Sequence, residues 1–337
     1  MIRSVVCILV FCWSAITLNA QPLVKRTQVL MNTFVSISLP LSELKHSNAA
    51  FERLKKVELA LSSYQKEAQI YRLNHEKNIS ISSDTYEALS LAKGYYEKTN
   101  GYFDITIGSI TKGLFHFGEE ESFPKLQALR AAKLNFRGLH FTSKQAWIEE
   151  GVVLDLGGMG KGFGVDKAVK LLKAKGIKEG VVALSGDIFC FHECEMAIQD
   201  PFSSHLLAEF SMAHKNSAIS TSGNYRRYVK SKKFNHLINP KERVSQQNFA
   251  SITLMSTHYS NSDLDAYATA VSVMPKEEAF RFLKQLGNVG YLVVDSDKEL
   301  TMNVTFESLT TQLKLHQAQG AKKMKLIRSV PLSYMKR

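Results

Sequence analysis

The chain of 337 residues is poor in cysteine, with four in all. Cys7 and Cys12 lie in an N-terminal apolar run, which leaves Cys190 and Cys194 flanking Phe191, His192 and Glu193. That spacing reads as a hairpin tip whose ends are free to form a disulfide in an oxidising compartment. With His192 the pair would offer closely spaced ligands but no fourth, unlike known zinc spacings. A second long apolar run is also lacking: past the N-terminus nothing approaches the ~18 residues of a membrane span. No internal repeat and no low-complexity linker divides the chain. The familiar phosphate fingerprints are missing too. Lys161 is followed by Gly162 rather than Ser or Thr, which excludes a P-loop, and neither Gly158 nor Gly160 opens a G-x-G-x-x-G run. Negative charge is scarce, with Lys and Arg at 43, Asp and Glu at 31 and a formal net charge of +12. That balance points to an anionic ligand or surface without naming one.

What is present begins with a leader. Met1 to Ala20 carries Arg3 and then an apolar run, Val5 to Leu18, too short to span a membrane comfortably. It ends in Leu18-Asn-Ala20, so a secretory signal cleaved before Gln21 is expected, and with it an exported, periplasmic protein. The hydrophobic share of 45% suffices for a real core. The remainder is long enough for one large domain or two lobes.

Asp155-Leu-Gly-Gly-Met-Gly-Lys-Gly-Phe-Gly-Val-Asp166 is the most informative stretch. The apolar run Gly151 to Leu156 reads as a strand, and Val165 to Lys175 has helical spacing. Between them lies a glycine-rich turn where a ligand can approach the backbone. A helix N-terminus there would favour a phosphate. Lys161 adds a cation and Asp155 a carboxylate.

Elsewhere, Gln28 to Leu39 alternates like a strand. Asn48 to Leu61 reads as a helix, and so does Thr85 to Thr99 with Asp84 as its cap. In Gly101-Tyr-Phe-Asp-Ile-Thr-Ile-Gly108, Asp104 and Thr106 alternate with apolar residues, either lining a pocket or facing solvent on a strand. Val181 to Leu184 reads as a buried strand leading to Asp187. Ser220 to Tyr225 reads as a hydroxyl-rich turn. His236 is either a general base or a hydrogen-bonded structural histidine. Asp265 and Thr269 sit at i and i+4 of a helix capped by Asn261, Ser262 or Asp263, so their side chains share a face. A carboxylate and a hydroxyl so placed suit a hard cation such as Mg²⁺; a first-turn acid complementing the helix dipole is the alternative. The order of strands and helices shows no regular βαβ alternation, which favours an α+β fold.

These stretches, in order from Met31-Asn-Thr33 to Asp265-Ala-Tyr-Ala-Thr-Ala270, resemble the ApbE family, the FAD:protein FMN transferases. Tyr64, Gly101–Gly108, Asp155–Asp166, Ser185-Gly-Asp-Ile188, Ile219–Tyr225 and His236-Leu-Ile-Asn-Pro240 carry the resemblance between those ends. It implies mixed, mostly antiparallel sheets with packed helices and an FAD cleft. The flavin transferase unit then spans residues 21–310, followed by a basic tail over 311–337. The implied reaction cleaves the pyrophosphate of FAD and moves the FMN phosphoryl group to a Thr or Ser hydroxyl of a flavoprotein, releasing AMP. Targets of the family include subunits of membrane electron-transport complexes; no nucleic acid is implied. By the same resemblance, Met31, Tyr64, Asp104, Ile105 and Thr106 hold the flavin and adenine parts, and Asp155 and Lys161 meet the pyrophosphate. Leu237 and Ile238 border the flavin. Gly158 gives a backbone carbonyl to Mg²⁺, and Asp265 and Thr269 give side-chain oxygens. His236, with Asp187 second, is expected to accept the proton of the target hydroxyl. The sequence departs from the family at Ser185, which replaces a glycine, and at Asn239, where Asp is usual, so a carboxylate near His236 is expected to be lost. After Gly108 the usual continuation is replaced by Ser109-Ile-Thr111. Hydrolysis of FAD at the same site and FAD storage without chemistry stay open as other uses.

Overall fold

The computed structural model describes residues 22–225, 228–316 and 323–326. The expected leader lies outside the described residues, as does most of the basic tail. Among the described residues no helix is long and apolar enough to cross a membrane.

The alternating run predicted over Gln28–Leu39 is two strands rather than one. β1 (Leu23–Leu30) and β2 (Thr33–Pro40) pair antiparallel. Met31 and Asn32 turn the chain between them, with φ of 52° and 55°. Two consecutive left-handed residues match the twist of paired strands, so alternation continues across the turn and hides it from the sequence pattern. Along β2, Val35, Ile37 and Leu39 are buried while Phe34 on the other face is exposed.

Ten further strands complete the two main sheets: β3 (Val181–Leu184), β4 (Asp187–Cys190), β5 (Glu195–Gln199), β6 (Leu206–Met212), β7 (Ser217–Gly223), β8 (Phe249–Ser256), β9 (Gly290–Asp295), β10 (Glu299–Met302), β11 (Thr310–Leu315) and β12 (Lys323–Leu326). The large sheet has nine strands in the order β1-β2-β3-β4-β7-β8-β9-β10-β12. Its pairings are antiparallel except β10 with β12. The second sheet runs β11-β6-β5. Residues 311–315 and 323–326, in the segment read as a tail, thus belong to sheets. Two small sheets, one joining residues 78–80, 139–141 and 145–148 and one joining 238–239 with 244–245, complete the strands.

Helices cover one face of the large sheet. α1 (His46–Leu61), α2 (Ser83–Lys98), α3 (Gly160–Ala174), α4 (Asn261–Val273) and α5 (Lys276–Leu286) share a core with Val35, Ile37, Ala218, Ile252, Leu254 and Val293. The second sheet covers the opposite face over β4 to β10, where Cys190, Ile219, Met255 and Leu292 meet Ile198, Ala208 and Phe210. Strand residues therefore alternate between two cores, as a period of two demands. Cys190 and Cys194 form a disulfide where the chain crosses from β4 to β5. The fold is α+β, as the order of elements implied.

Three local expectations change. α2 is capped by Ser82, whose hydroxyl accepts from Thr85 N at 3.3 Å. Asp84 instead receives a bidentate Arg53 at 2.6 and 2.7 Å. α4 is capped by Ser260, in a capping box with Asp263, one residue before the expected Asn261–Asp263. Gly151–Leu156 joins no sheet beyond a single bridge of Val153 to Ile107. Its amides go to Ser109 Oγ (Val153), Asn74 Oδ1 (Leu154) and the Ile105 carbonyl (Asp155). Side chains take the place of a partner strand, so an apolar run lies buried without a ladder.

Candidate active site

A cavity of about 980 Å³ opens beside the helix-covered end of the large sheet. That is the upper end of the range for ligand pockets, large enough for a dinucleotide. Met31 from the β1–β2 turn and Tyr64 after α1 reach it, as do Asp104, Ile105 and Asp155. Gly158, Lys161, Asp265 and Thr269 form another part of its wall, and His236, Leu237 and Ile238 a third.

The glycine-rich stretch serves both ligand approach and packing: Gly157, Gly158 and Gly160 line the cavity, while Gly162 lies against α4. α3 begins at Gly160, not at Val165, so most of its glycines are helical. A Cβ on Gly162 would lie 2.3 Å from the Asn261 carbonyl oxygen and 2.9 Å from Asp265 Cβ. One on Gly158 would lie 2.9 Å from Thr269 Cγ2. These glycines let α3 and α4 touch backbone to backbone, and that contact carries Asp265 to Lys161.

Lys161 Nζ lies 3.0 Å from Asp187 Oδ2 and 3.3 Å from Asp265 Oδ2. Both carboxylates are buried, at 1% and 3% side-chain exposure, whereas Lys161 keeps 31%. Ser220 Oγ donates to Asp187 Oδ1 at 2.6 Å, and Gly162 N donates to Asp265 Oδ2 at 3.0 Å. Two carboxylates share one ammonium, so with all three ionised the wall has an uncompensated negative charge. Beside it, Thr269 Oγ1 donates to the Gly158 carbonyl at 3.1 Å. A carboxylate, a hydroxyl and a carbonyl thus stand together. Among the described residues no group of three or more His, Cys, Asp or Glu could hold a metal. One carboxylate with neutral oxygens fits Mg²⁺, which keeps waters and takes further oxygens from a bound phosphate.

Burial raises the Asp187 carboxyl to about 7, and the Asp265 charge adds to this, against Lys161 and the Ser220 hydroxyl. Burial opposes the charge on Lys161, but the two carboxylates hold it above the ordinary lysine range. Because the folded value of Asp187 lies above its unfolded one, its stabilising contribution is present at low pH and lost as pH rises from about 4 through 7. Urea melts of the metal-free protein at pH 5 and 8 should show this decline, and Asp187→Asn should flatten it. Identical declines in both proteins would exclude Asp187 as the source.

Some predicted site residues behave differently. Asp187 does not line the cavity; it lies behind Lys161 as its counter-ion, too enclosed to meet an incoming hydroxyl. Thr106 is also off the cavity, with its backbone N and its hydroxyl donating to Asp104 Oδ1 at 2.8 and 2.7 Å. Asp104 is largely buried, which raises its pKa. The Asp155 carboxylate accepts from Gly157 N at 2.9 Å and Thr111 Oγ1 at 2.7 Å, which fixes its orientation. Asn239 points away: its amide donates to the Val273 carbonyl at 2.9 Å, at the end of α4. An aspartate there would lack that donor, so the departure ties the small 238–239 strand to a helix rather than altering charge in the cavity. Ser185 sits at φ 57°, a conformation that favours glycine. The hydroxyl-rich turn at Ser220–Tyr225 is mostly strand, because Ser217–Gly223 pairs with β4 and β8. Sequence reasoning missed Ser220 as the partner of Asp187, and β5 as a cavity wall. Pairing across strands gave no local signal for either.

The ApbE family profile matches residues 31–293. The chain belongs to the ApbE family. Among curated relatives, the FAD:protein FMN transferase of Buchnera aphidicola (subsp. Schizaphis graminum) is 27% identical over 254 residues, covering 67% of this chain and 73% of the relative. That of Klebsiella pneumoniae is 22% identical over 287 residues, covering 82% and 90%. A crystal structure of the ApbE protein from Thermotoga maritima superposes with a TM-score of 0.77 at 19% identity, over 86% of this chain and all (100%) of the other. The Vibrio cholerae flavin transferase ApbE gives 0.73 at 20% identity, over 85% and 99%. These likenesses extend to the ApbE fold of helices and two stacked sheets described above.

Proposed function

We propose that this chain is an exported, Mg²⁺-dependent FAD:protein FMN transferase. The observation that carries the reading is the convergence of Lys161, Asp265, Thr269 and the Gly158 carbonyl on one wall of a dinucleotide-sized cavity. Family membership supplies the reaction class. Asp265, Thr269 and Gly158 would hold Mg²⁺, which when bound neutralises charge on phosphate oxygens.

Met31, Tyr64, Asp104 and Ile105 line the part of the cavity that would take the flavin and adenine ends of FAD. Met31 N donates to Glu58 Oε1 at 2.7 Å, and Tyr64 Oη donates to the Phe117 carbonyl at 2.9 Å, so both are held in place. Asp155 and Lys161, which also line the cavity, would meet the pyrophosphate. Lys161, fixed by two carboxylates, presents a positioned cation to the developing charge. The oxygen of a Thr or Ser hydroxyl on the target attacks the FMN phosphorus. A new phosphorus–oxygen bond forms, the bridging bond breaks, and AMP leaves with the bridging oxygen. Positioning and charge neutralisation supply most of the catalysis.

The hydroxyl proton goes to His236, which lines the cavity. His236→Ala should lower transfer by about 10²-fold or more, with FAD affinity within about twofold. Unchanged transfer would remove His236 from this role. The target is a flavoprotein subunit of a membrane electron-transport complex, met at the outer face of the inner membrane. Intact mass tests the whole reading: an acceptor that gains one FMN supports transfer, whereas FAD turned to FMN and AMP without that gain defines a hydrolase.

A further inference from the structure

β3 and β4 are joined by two residues, Ser185 and Gly186, since Leu184 pairs with Asp187. Ser185 is left-handed at φ 57° and Gly186 is not. A two-residue hairpin turn with positive φ at its first position alone calls for glycine there. This chain places its glycine second instead. Room explains that glycine: a Cβ on Gly186 would lie 2.7 Å from the Thr221 carbonyl oxygen. Nothing local explains the serine. Its backbone N donates to the Phe34 carbonyl at 3.4 Å, a bond that glycine would make equally well. Its hydroxyl makes no bond among the described residues, although a serine in a turn commonly turns its hydroxyl onto nearby backbone. Strain kept at such a position points to a use for the side chain.

The place of the turn says which use. Ser185 and Gly186 both line the reaction cavity, and Ser185 is exposed. On one side the bond to Phe34 ties the turn to the start of β2, beside Met31 and Thr33 of the cavity wall. On the other, Asp187 follows directly and holds Lys161 Nζ at 3.0 Å. The turn thus joins the wall that would take an end of FAD to the ammonium that would meet its pyrophosphate. Lys161 is shared by two buried carboxylates, so much of its charge is already balanced within the protein. A phosphate held there needs further donors, and a hydroxyl supplies one without another buried charge.

We propose that Ser185 is a substrate contact whose hydroxyl donates to a phosphate oxygen of FAD. This rests on the reading of the cavity as an FAD site. The left-handed backbone sets the side chain at the cavity wall, and glycine, which would relieve the strain, has no donor to put there.

Four substitutions at this position test the contact. FAD affinity is read by flavin fluorescence on the mature chain without added Mg²⁺, with a thermal melt of each variant. Ser185→Ala removes the donor and keeps the strain, whereas Ser185→Gly removes both. Each should weaken FAD about 10-fold, the loss of one hydrogen bond to a charged group. Only Ser185→Gly should raise the melting temperature, by about 2 °C. Asparagine tolerates the left-handed region and carries a donor, so Ser185→Asn should bind FAD within about threefold of wild type. Ser185→Asp has nearly the same shape with a negative charge, and should weaken FAD about 100-fold. Lys298→Gly is the control for strain alone. Lys298 is left-handed at φ 66° and off the cavity, so its melt should rise with FAD affinity unchanged. FAD binding at wild-type strength in Ser185→Ala and Ser185→Gly overturns the contact. Equal binding by Ser185→Asn and Ser185→Asp overturns the phosphate as its partner. A wild-type chain that takes up no FAD fails the cavity reading itself, and the Ser185 contact falls with it.

Discussion

Asp265→Ala should abolish FMN transfer, by about 10³-fold or more, and leave the chain folded. Asp265 is the carboxylate of the oxygen set with Thr269 and Gly158, so its loss removes the anchor for Mg²⁺ and the charge neutralisation that phosphoryl transfer needs. Loss of a buried charge usually unfolds a protein by orphaning its partner. Here Lys161 would still have Asp187 at 3.0 Å, a balanced pair in place of two carboxylates around one ammonium. The cost left is the orphaned Gly162 N–H, about 1–3 kcal/mol, offset by relief of repulsion between Asp187 and Asp265. Titration calorimetry of Mg²⁺ into the FAD-loaded protein, with a thermal melt beside it, checks both halves. Mg²⁺ binding at wild-type strength in Asp265→Ala would refute the metal assignment.

Gly162→Ala should destabilise the fold by about 3 kcal/mol, although alanine is the better helix former. The added Cβ would lie 2.3 Å from a backbone oxygen of Asn261, and relief requires α3 and α4 to separate. Steric cost exceeds the gain in propensity of about 1 kcal/mol. Gly94, inside α2 with nothing within 4 Å of its Cβ position, is the control. Gly94→Ala should stabilise by up to about 1 kcal/mol. Urea melts of both variants decide the matter, and equal shifts would mean that the α3–α4 contact yields easily. Since that contact also sets Asp265 against Lys161, Mg²⁺ affinity should fall in Gly162→Ala even where the fold survives.

Much was legible in the chain alone. Apolar spacing marked α1 because it buries one face against a continuous core. The spacing of Asp265 and Thr269 placed both on one side of a helix, and the structure brings that side to the cavity. The order of motifs gave the family and with it the α+β fold. Local pattern misread the elements whose partners are distant. Gly151–Leu156 looked like a strand because burial selects the same residues whether a ladder or Asn74 and Ser109 satisfy the backbone. Ser220–Tyr225 looked like a turn because hydroxyls and a glycine are usual in turns, yet strands on both sides recruit Ser220–Gly223.

The sequence by itself determined which chemistry is on offer: a lysine among glycines, a carboxylate and hydroxyl one helical turn apart, and a histidine before an Asn-Pro. Tertiary structure alone decided how these are used. It set Asp187 behind Lys161 rather than in the cavity, turned Asn239 onto the end of α4, and divided the glycines between the cavity wall and the α3–α4 contact. The physical reason is that side-chain type and spacing are local properties. Which carboxylate is exposed, which is buried and which shares a cation depends on elements far apart in the chain that meet only when both cores are packed.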